Sequence, residues 1–141
     1  MIEEYNGQRY YKINIPVRIS DINYGGHLGH AELTKITHQA RLKMLKHFSL
    51  SETDIDGAGI IVRKMETSYK REAFFDDILS LHIRISEVTK STCVFEYQIT
   101  KDNETPVATV HETIMFMNYS TRKPVRVPPQ IHDLYEIEFK Q

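Results

Sequence analysis

The chemically dense part of the chain is a single run, Asp21-Ile-Asn-Tyr-Gly-Gly-His-Leu-Gly-His30. His27 and His30 are groups that take or give a proton near neutral pH. Asp21 offers a carboxylate, whereas Asn23 offers a neutral amide that can only orient or hydrogen-bond. Gly26 and its neighbours Gly25 and Gly29 would let a ligand come close to the main chain. If this run leads into a helix, it also presents unpaired backbone N–H groups at the positive end of the helix dipole. A carbonyl oxygen gaining negative charge is stabilised at such a place. Plainer readings stand beside this one. Asp21 or Asn23 could close a strand with an Asx turn, the glycine pair could serve only the turn, and His30 could simply begin the helix. His27-x-x-His30 has the spacing of a metal pair, but no Cys or acidic cluster with ligand spacing accompanies it. Neither a metal nor a cofactor is expected.

The elements that must position this run are set by two hydrophobic periods. From Arg9 to Ser20 the chain alternates, with Tyr11, Ile13, Ile15, Val17 and Ile19 opposite Lys12, Asn14, Arg18 and Ser20, which predicts a half-buried strand. From His30 to Phe48 the period becomes helical. At ~100° per residue, Glu32, Lys35, Gln39, Lys43 and Lys46 crowd one narrow arc. The rest of the wheel is mostly apolar or small, including Ala31, Leu33, Ile36, Ala40, Leu42, Met44 and Leu45, so the helix is expected to be enclosed on several sides. Beyond a loop at Asp54–Gly59, Ile60 to Lys70 reads as a ragged strand. Leu79 to Ser86, Cys93 to Thr100 and Val107 to Asn118 follow as further strands with short turns, which makes the sheet antiparallel. The tail after Lys123 carries Pro124, Pro128 and Pro129 and predicts an amphipathic turn or an edge strand around Leu134 to Phe139. The fold class is α+β, an antiparallel sheet of about five strands wrapped around one long central helix. One sheet enclosing a helix leaves apolar edges open, and self-association into a homodimer or homotetramer would cover them.

Composition narrows the functional classes. The 141 residues are 40% hydrophobic and 26% charged with a net charge of −1, the balance of a folded globular protein and not of a polyanion binder. No nucleic-acid partner is expected. The absence of a basic-then-apolar opening, of any apolar run near ~20 residues and of a second cysteine predicts a cytoplasmic chain with no membrane partner. Cys93 lies mid-strand among apolar residues and reads as core. His38 reads as a structural histidine. Arg63, Lys64, Lys70, Arg71 and Arg126 are surface charges with the geometry to touch phosphates. With no repeat or linker, residues 1–141 are taken as one domain.

Three ordered motifs bear a family resemblance. VRISDINYGGHLGHAEL followed by THQARLKML resembles the opening strand, loop and helix of the hot-dog-fold acyl thioesterases, the 4-hydroxybenzoyl-CoA thioesterase-like superfamily. Ser68-Tyr-Lys-Arg-Glu-Ala-Phe-Phe-Asp-Asp-Ile-Leu79 is similar to that family's Y-x-x-P/E-A-x-x-x-D-x-L segment, and Phe116 to Pro128 resembles its last strand and proline tail. The resemblance implies the hot-dog fold, sites at a subunit interface, and acyl-CoA or acyl-ACP thioesters as substrates. By position, Asn23 matches a residue that is Asp in many members, where it serves as nucleophile or base. His27 and His30 match loop and helix-start histidines of different branches, and the His30 backbone N–H matches the oxyanion donor. Asp21 would orient a histidine, with Tyr24, Gly26, Gly29 and Tyr69 at the substrate. The departures are Asn23, which can be neither base nor nucleophile, and Gln39, where many members have Glu. Direct attack of water, activated by His27 or His30 and held by Asn23, is therefore expected instead of an acyl-enzyme at residue 23. A degenerate domain that binds acyl ligands or serves assembly is the alternative. Hydration or dehydration of acyl thioesters ranks lower, because the H-F-x-x-x-P pattern of one dehydratase branch is missing.

Overall fold

The computed structural model describes residues 1–140. Its elements run β1 (Ile2–Tyr5), β2 (Gln8–Pro16), α1 (His30–His47), β3 (Gly59–Tyr69), β4 (Ile78–Val88), β5 (Thr92–Lys101), β6 (Thr105–Asn118), β7 (Lys123–Val125) and α2 (Pro129–Leu134). All strands pair antiparallel in the order β1-β2-β4-β5-β6-β3, with β7 on the end of β6. Long α1 packs against this sheet, so the expected fold is observed, with seven strands instead of about five. The additional strands are short. β1 and β2 form a hairpin across Asn6 (φ 52°) and Gly7 (φ 78°), both in the left-handed region that a two-residue type I′ turn demands. β7 covers only Phe116–Asn118 at the end of β6.

The alternation read from sequence is the alternation that is buried. Leu79, Leu81, Ile83 and Ile85 of β4, and Cys93, Phe95, Tyr97 and Ile99 of β5, form the core face against Leu33, Ile36, Ala40, Met44 and Leu45 of α1. Each large aliphatic side chain so buried contributes about 1.5–3 kcal/mol. The raggedness of β3 has a cause in pairing: its register with β6 shifts between Val62 and Lys64, where a bulge breaks the period of two.

Three expectations are corrected. The first strand ends at Pro16; Ile19 begins a short 3-10 turn (Ile19–Asp21) and is 70% exposed, because the chain must turn there to deliver the loop to α1. The helix buries one stripe in a single protomer, from Leu33 to Leu45 at i, i+3, i+4 spacing, leaving Ala31 and Leu42 exposed. Of the two tail expectations the amphipathic turn holds and the edge strand does not: α2 runs into a π-helical turn, Tyr135–Phe139, whose Phe139 is fully buried beside Phe48.

Beneath α1 lies a charged network that local patterns do not reveal. Arg41, 5% exposed, donates through Nη1 to both carboxylate oxygens of Glu112 (3.1 Å each) and through Nη2 to Glu52 (3.0 Å). Tyr97 donates its hydroxyl to the same Glu112 (2.5 Å), and His38 pairs with Glu52 at 3.0 Å.

Candidate active site

The loop before α1 is a small hairpin of its own. Ile22 and Leu28 form an antiparallel bridge, Asn23 N–H donates to the His27 carbonyl (2.9 Å) and Gly26 N–H to the Asn23 carbonyl (3.0 Å). Gly26, at φ +83°, supplies the positive φ this turn needs. Two further bonds dock the hairpin: Leu28 N–H donates to the Ala73 carbonyl (2.8 Å) and Gly29 N–H to the Asp21 carbonyl (3.1 Å).

Helix α1 then starts with an open end. Its N-cap is Gly29, which has no side chain to cap with, and no side-chain cap hydrogen bond is made. The first intrahelical bond is Leu33 N–H to the Gly29 carbonyl (2.9 Å). The N–H groups of His30, Ala31 and Glu32 precede it at the positive end of the dipole, where the Glu32 carboxylate folds back beside Gly29 without making a cap hydrogen bond.

Beside this end lies a cavity of about 320 Å³. Leu28, Leu33, Ala73 and Val107 give it apolar walls, and Asn23, His27, His30, Tyr69, Lys70, Arg71 and Glu72 bring polar groups. The structure thus brings together four of the expected site residues, Asn23, His27, His30 and Tyr69. Gly29 is buried at the adjoining helix cap. The others sit elsewhere. Asp21, 5% exposed, takes the Arg18 backbone N–H on Oδ2 (2.8 Å) with the Arg18 side chain 3.6 Å away. Tyr24 projects fully into solvent, and Gly26 forms the exposed turn.

The hydrogen bonds around His27 decide its tautomer. Its Nδ1 lies 3.1 Å from the Leu28 carbonyl, which can only accept, so Nδ1 carries the proton. In the neutral ring Nε2 is then the basic nitrogen. Asn23 Oδ1 accepts the Gly25 N–H (2.9 Å), an Asx turn, which leaves its amide N–H groups as the donors. A methyl group on Gly25 would lie 3.2 Å from Asn23 Oδ1 and 3.3 Å from His27 Nε2, so both side chains close on the same side of that glycine.

Glu72 was not singled out by sequence reasoning; it is the one carboxylate in the cavity lining. The available signal was its place in the Y-x-x-P/E-A segment. Lys70 and Arg71 line the cavity, and Cys93 is 1% exposed in the core, where burial pushes its thiol pKa up.

The match of residues 17–134 to the thioesterase-like superfamily places the chain in that family. The acyl-CoA thioester hydrolase YbgC of Escherichia coli is 28% identical over 130 residues, covering 89% of this chain and 94% of that protein. Among solved structures, the DHNA-CoA thioesterase from Staphylococcus aureus superposes with a TM-score of 0.81 at 20% identity, covering 90% of this chain and 89% of that one. A second Staphylococcus aureus protein, solved in complex with CoA, gives a TM-score of 0.81 at 16% identity, covering 92% of this chain and 83% of that one. With such neighbours the fold is the hot-dog fold.

Proposed function

We propose that this chain, acting as one hot-dog domain, hydrolyses acyl-CoA or acyl-ACP thioesters to a free acid and a thiol. One observation carries the reading: an uncapped helix N-terminus and a histidine with its Nε2 lone pair free adjoin the same cavity. The thioester carbonyl oxygen docks at the N–H groups that open α1, His30 first, which stabilise it best when it bears negative charge. Water held by the Asn23 amide gives a proton to His27 Nε2 while its oxygen bonds to the carbonyl carbon. The carbonyl π pair moves onto oxygen. When the tetrahedral species collapses, the C–S bond breaks, the pair leaves on sulfur and the proton on His27 neutralises the thiolate. Leu28, Leu33, Ala73 and Val107 receive the acyl group, and Lys70 and Arg71 stand where phosphates of a CoA-type carrier would pass.

The similarity to a protein named acyl-CoA thioester hydrolase supports the CoA carrier; the acyl-ACP option rests on the family resemblance. A homodimer or homotetramer is the assembly we propose, supported by the outer edge of β3, which pairs with β6 on one side only and exposes Val62 and Tyr69. No described helix is long and apolar enough to cross a membrane; the cytoplasmic location we propose rests on the single cysteine.

The test is thiol release from acyl-CoAs of C2 to C18 and from acyl-ACP. His27→Gln is expected to lower kcat by about 10²–10⁴-fold with KM little changed. Asn23→Ala should lower kcat less, because it removes only water positioning. No turnover by the parent protein on any substrate would leave the acyl-binding, non-catalytic reading, which the amide at residue 23 favours. Full activity in His27→Gln would remove that residue from the mechanism.

A further inference from the structure

His27 is oriented by a carbonyl, and that carbonyl belongs to a loop held from outside the cavity. The Leu28 carbonyl takes His27 Nδ1–H, while the Leu28 N–H is tied to the carbonyl of Ala73 (2.8 Å). Ala73, 1% exposed, sits in the turn Glu72–Asp77 between β3 and β4. The turn is partly closed by its own Asp77 N–H, which donates to the Phe74 carbonyl (3.1 Å), and the Asp76 N–H donates to the Val17 carbonyl (3.0 Å). It contains no proline, and Asp76 occupies the left-handed region at φ +73°, which Asp adopts more readily than most non-glycine residues.

A further tie comes from the end of β5. Lys101, its side chain 11% exposed, donates Nζ to the Glu72 carbonyl (2.7 Å) and to Asp77 Oδ2 (3.2 Å). The ammonium also lies 5.0 Å from the centre of the Phe74 ring. Asp77 Oδ2 receives the Phe74 N–H as well (2.8 Å), and the Asp77 carbonyl takes the N–H of Val17 (2.8 Å). The Phe74 N–H on Oδ2, with help from Lys101, holds the Asp77 carboxyl below its ordinary pKa. One half-buried cation therefore ties both ends of the turn that carries Ala73.

We infer that Lys101 and Asp77 are positioning residues, a clamp outside the cavity that fixes the tautomer and orientation of the His27 imidazole through Ala73 and Leu28. The inference rests on the hydrolytic reading for its effect on rate, but not for its effect on the ring. Neither residue lines the cavity. With the clamp cut, the Glu72–Asp77 turn relaxes, the Ala73 carbonyl shifts, and Leu28 no longer presents its own carbonyl squarely to Nδ1. Shifts well under an ångström at a general base are enough to lower turnover, because proton transfer depends steeply on geometry.

The experiment compares Lys101→Met and Asp77→Asn with the parent protein, with Lys101→Arg as the conservative control. Two readouts are taken: kcat and KM on the best acyl-CoA substrate, and the ¹⁵N shifts of the His27 ring nitrogens. The expected result is a fall in kcat of about tenfold with KM changed less than about twofold in Lys101→Met. The Nδ1–H signature of the parent is expected to give way to a mixture of tautomers, and Lys101→Arg should restore most of both. Should Lys101→Met not fold, Asp77→Asn, isosteric and keeping an acceptor for Phe74, carries the reading. An unchanged ring signature in the folded variant overturns the clamp whatever the rate does, as does a kcat within about twofold of an active parent. If the parent hydrolyses nothing, the hydrolytic reading falls and the nitrogen shifts alone decide the clamp.

Discussion

Replacing Arg41 with Met would remove the cation from a carboxylate that has no route to water. Glu112 is 1% exposed and receives two Arg41 hydrogen bonds at 3.1 Å; without them it keeps only the Tyr97 hydroxyl. Met fills most of the volume, so the loss is electrostatic and not a cavity. Breaking one side of a buried pair costs about 3–5 kcal/mol, because the surviving charge stays desolvated. For a domain of this size that corresponds to a fall in Tm of roughly 10 °C or more. Urea unfolding with matched m-values measures it. The double variant Arg41→Met/Glu112→Leu is expected to be more stable than Arg41→Met alone, since the orphaned charge is gone and two apolar side chains pack in its place. Arg41 still has partners when Glu112 is lost, through Glu52 at 3.0 Å, so Glu112→Leu should fall between the two. The reasoning fails if the double variant loses as much as the two single variants together, which would mean that the guanidinium and carboxylate do not interact energetically.

Two further outcomes follow from local geometry. A methyl group on Gly59 would sit 2.0 Å from the Tyr119 ring, whose hydroxyl donates to the Ile60 carbonyl (2.9 Å), so Gly59→Ala should destabilise by about 1–3 kcal/mol; an unchanged urea midpoint would refute it. His82, stacked on Tyr5 at 4.2 Å, has its pKa lowered by burial, with Lys12 adding repulsion against Glu3 and Glu104. As pH falls below about 6.5 the unfolded chain binds a proton the folded imidazole refuses, so stability drops. His82→Phe keeps a stacking ring and discards an Nδ1 that has no partner; urea midpoints at pH 7 and 5 should then differ less than in the parent, and an equal difference would count against it.

Much of the fold was legible because its strands have one wet or polar face and one dry one. β4 alternates cleanly from Leu79 to Ile85 and β5 from Cys93 to Ile99, and the helix begins at the residue the change of period marks. What failed did so for identifiable reasons. β3 looked ragged because a bulge at Val62–Lys64 costs the pattern a residue. β1 shows no apolar alternation to mark it, although Asn6-Gly7 is a strong short-range hairpin signal; its strand residues include Glu3 and Glu4, and it is held by Tyr5 stacking on His82 and not by an apolar face. Ile19 continued the alternation by composition alone. Strand order cannot be read from local pattern, and neither can a pair such as Arg41 and Glu112, 71 residues apart.

The candidate site was legible in type and only partly in arrangement. Histidines, glycines and a helix start announced a place for a carbonyl, and the cavity gathers Asn23, His27, His30 and Tyr69 there. Asp21 has the same chemical type but turns its carboxylate to Arg18, since it caps the short turn that ends the first strand segment. Lys101, Asp77 and Ala73 were invisible as a unit because their connection runs through backbone carbonyls, which every residue has.

The lone thiol gives the molecule a built-in reporter. Cys93 lies in the middle of the sheet's dry face with its ionisation suppressed, so an alkylating or disulfide reagent finds no sulfur to attack while β4, β5 and β6 stay zipped. The pace at which such a reagent consumes the protein therefore times the opening of its most protected strands, and it leaves a liberated coenzyme thiol as the sole fast-reacting sulfur in solution.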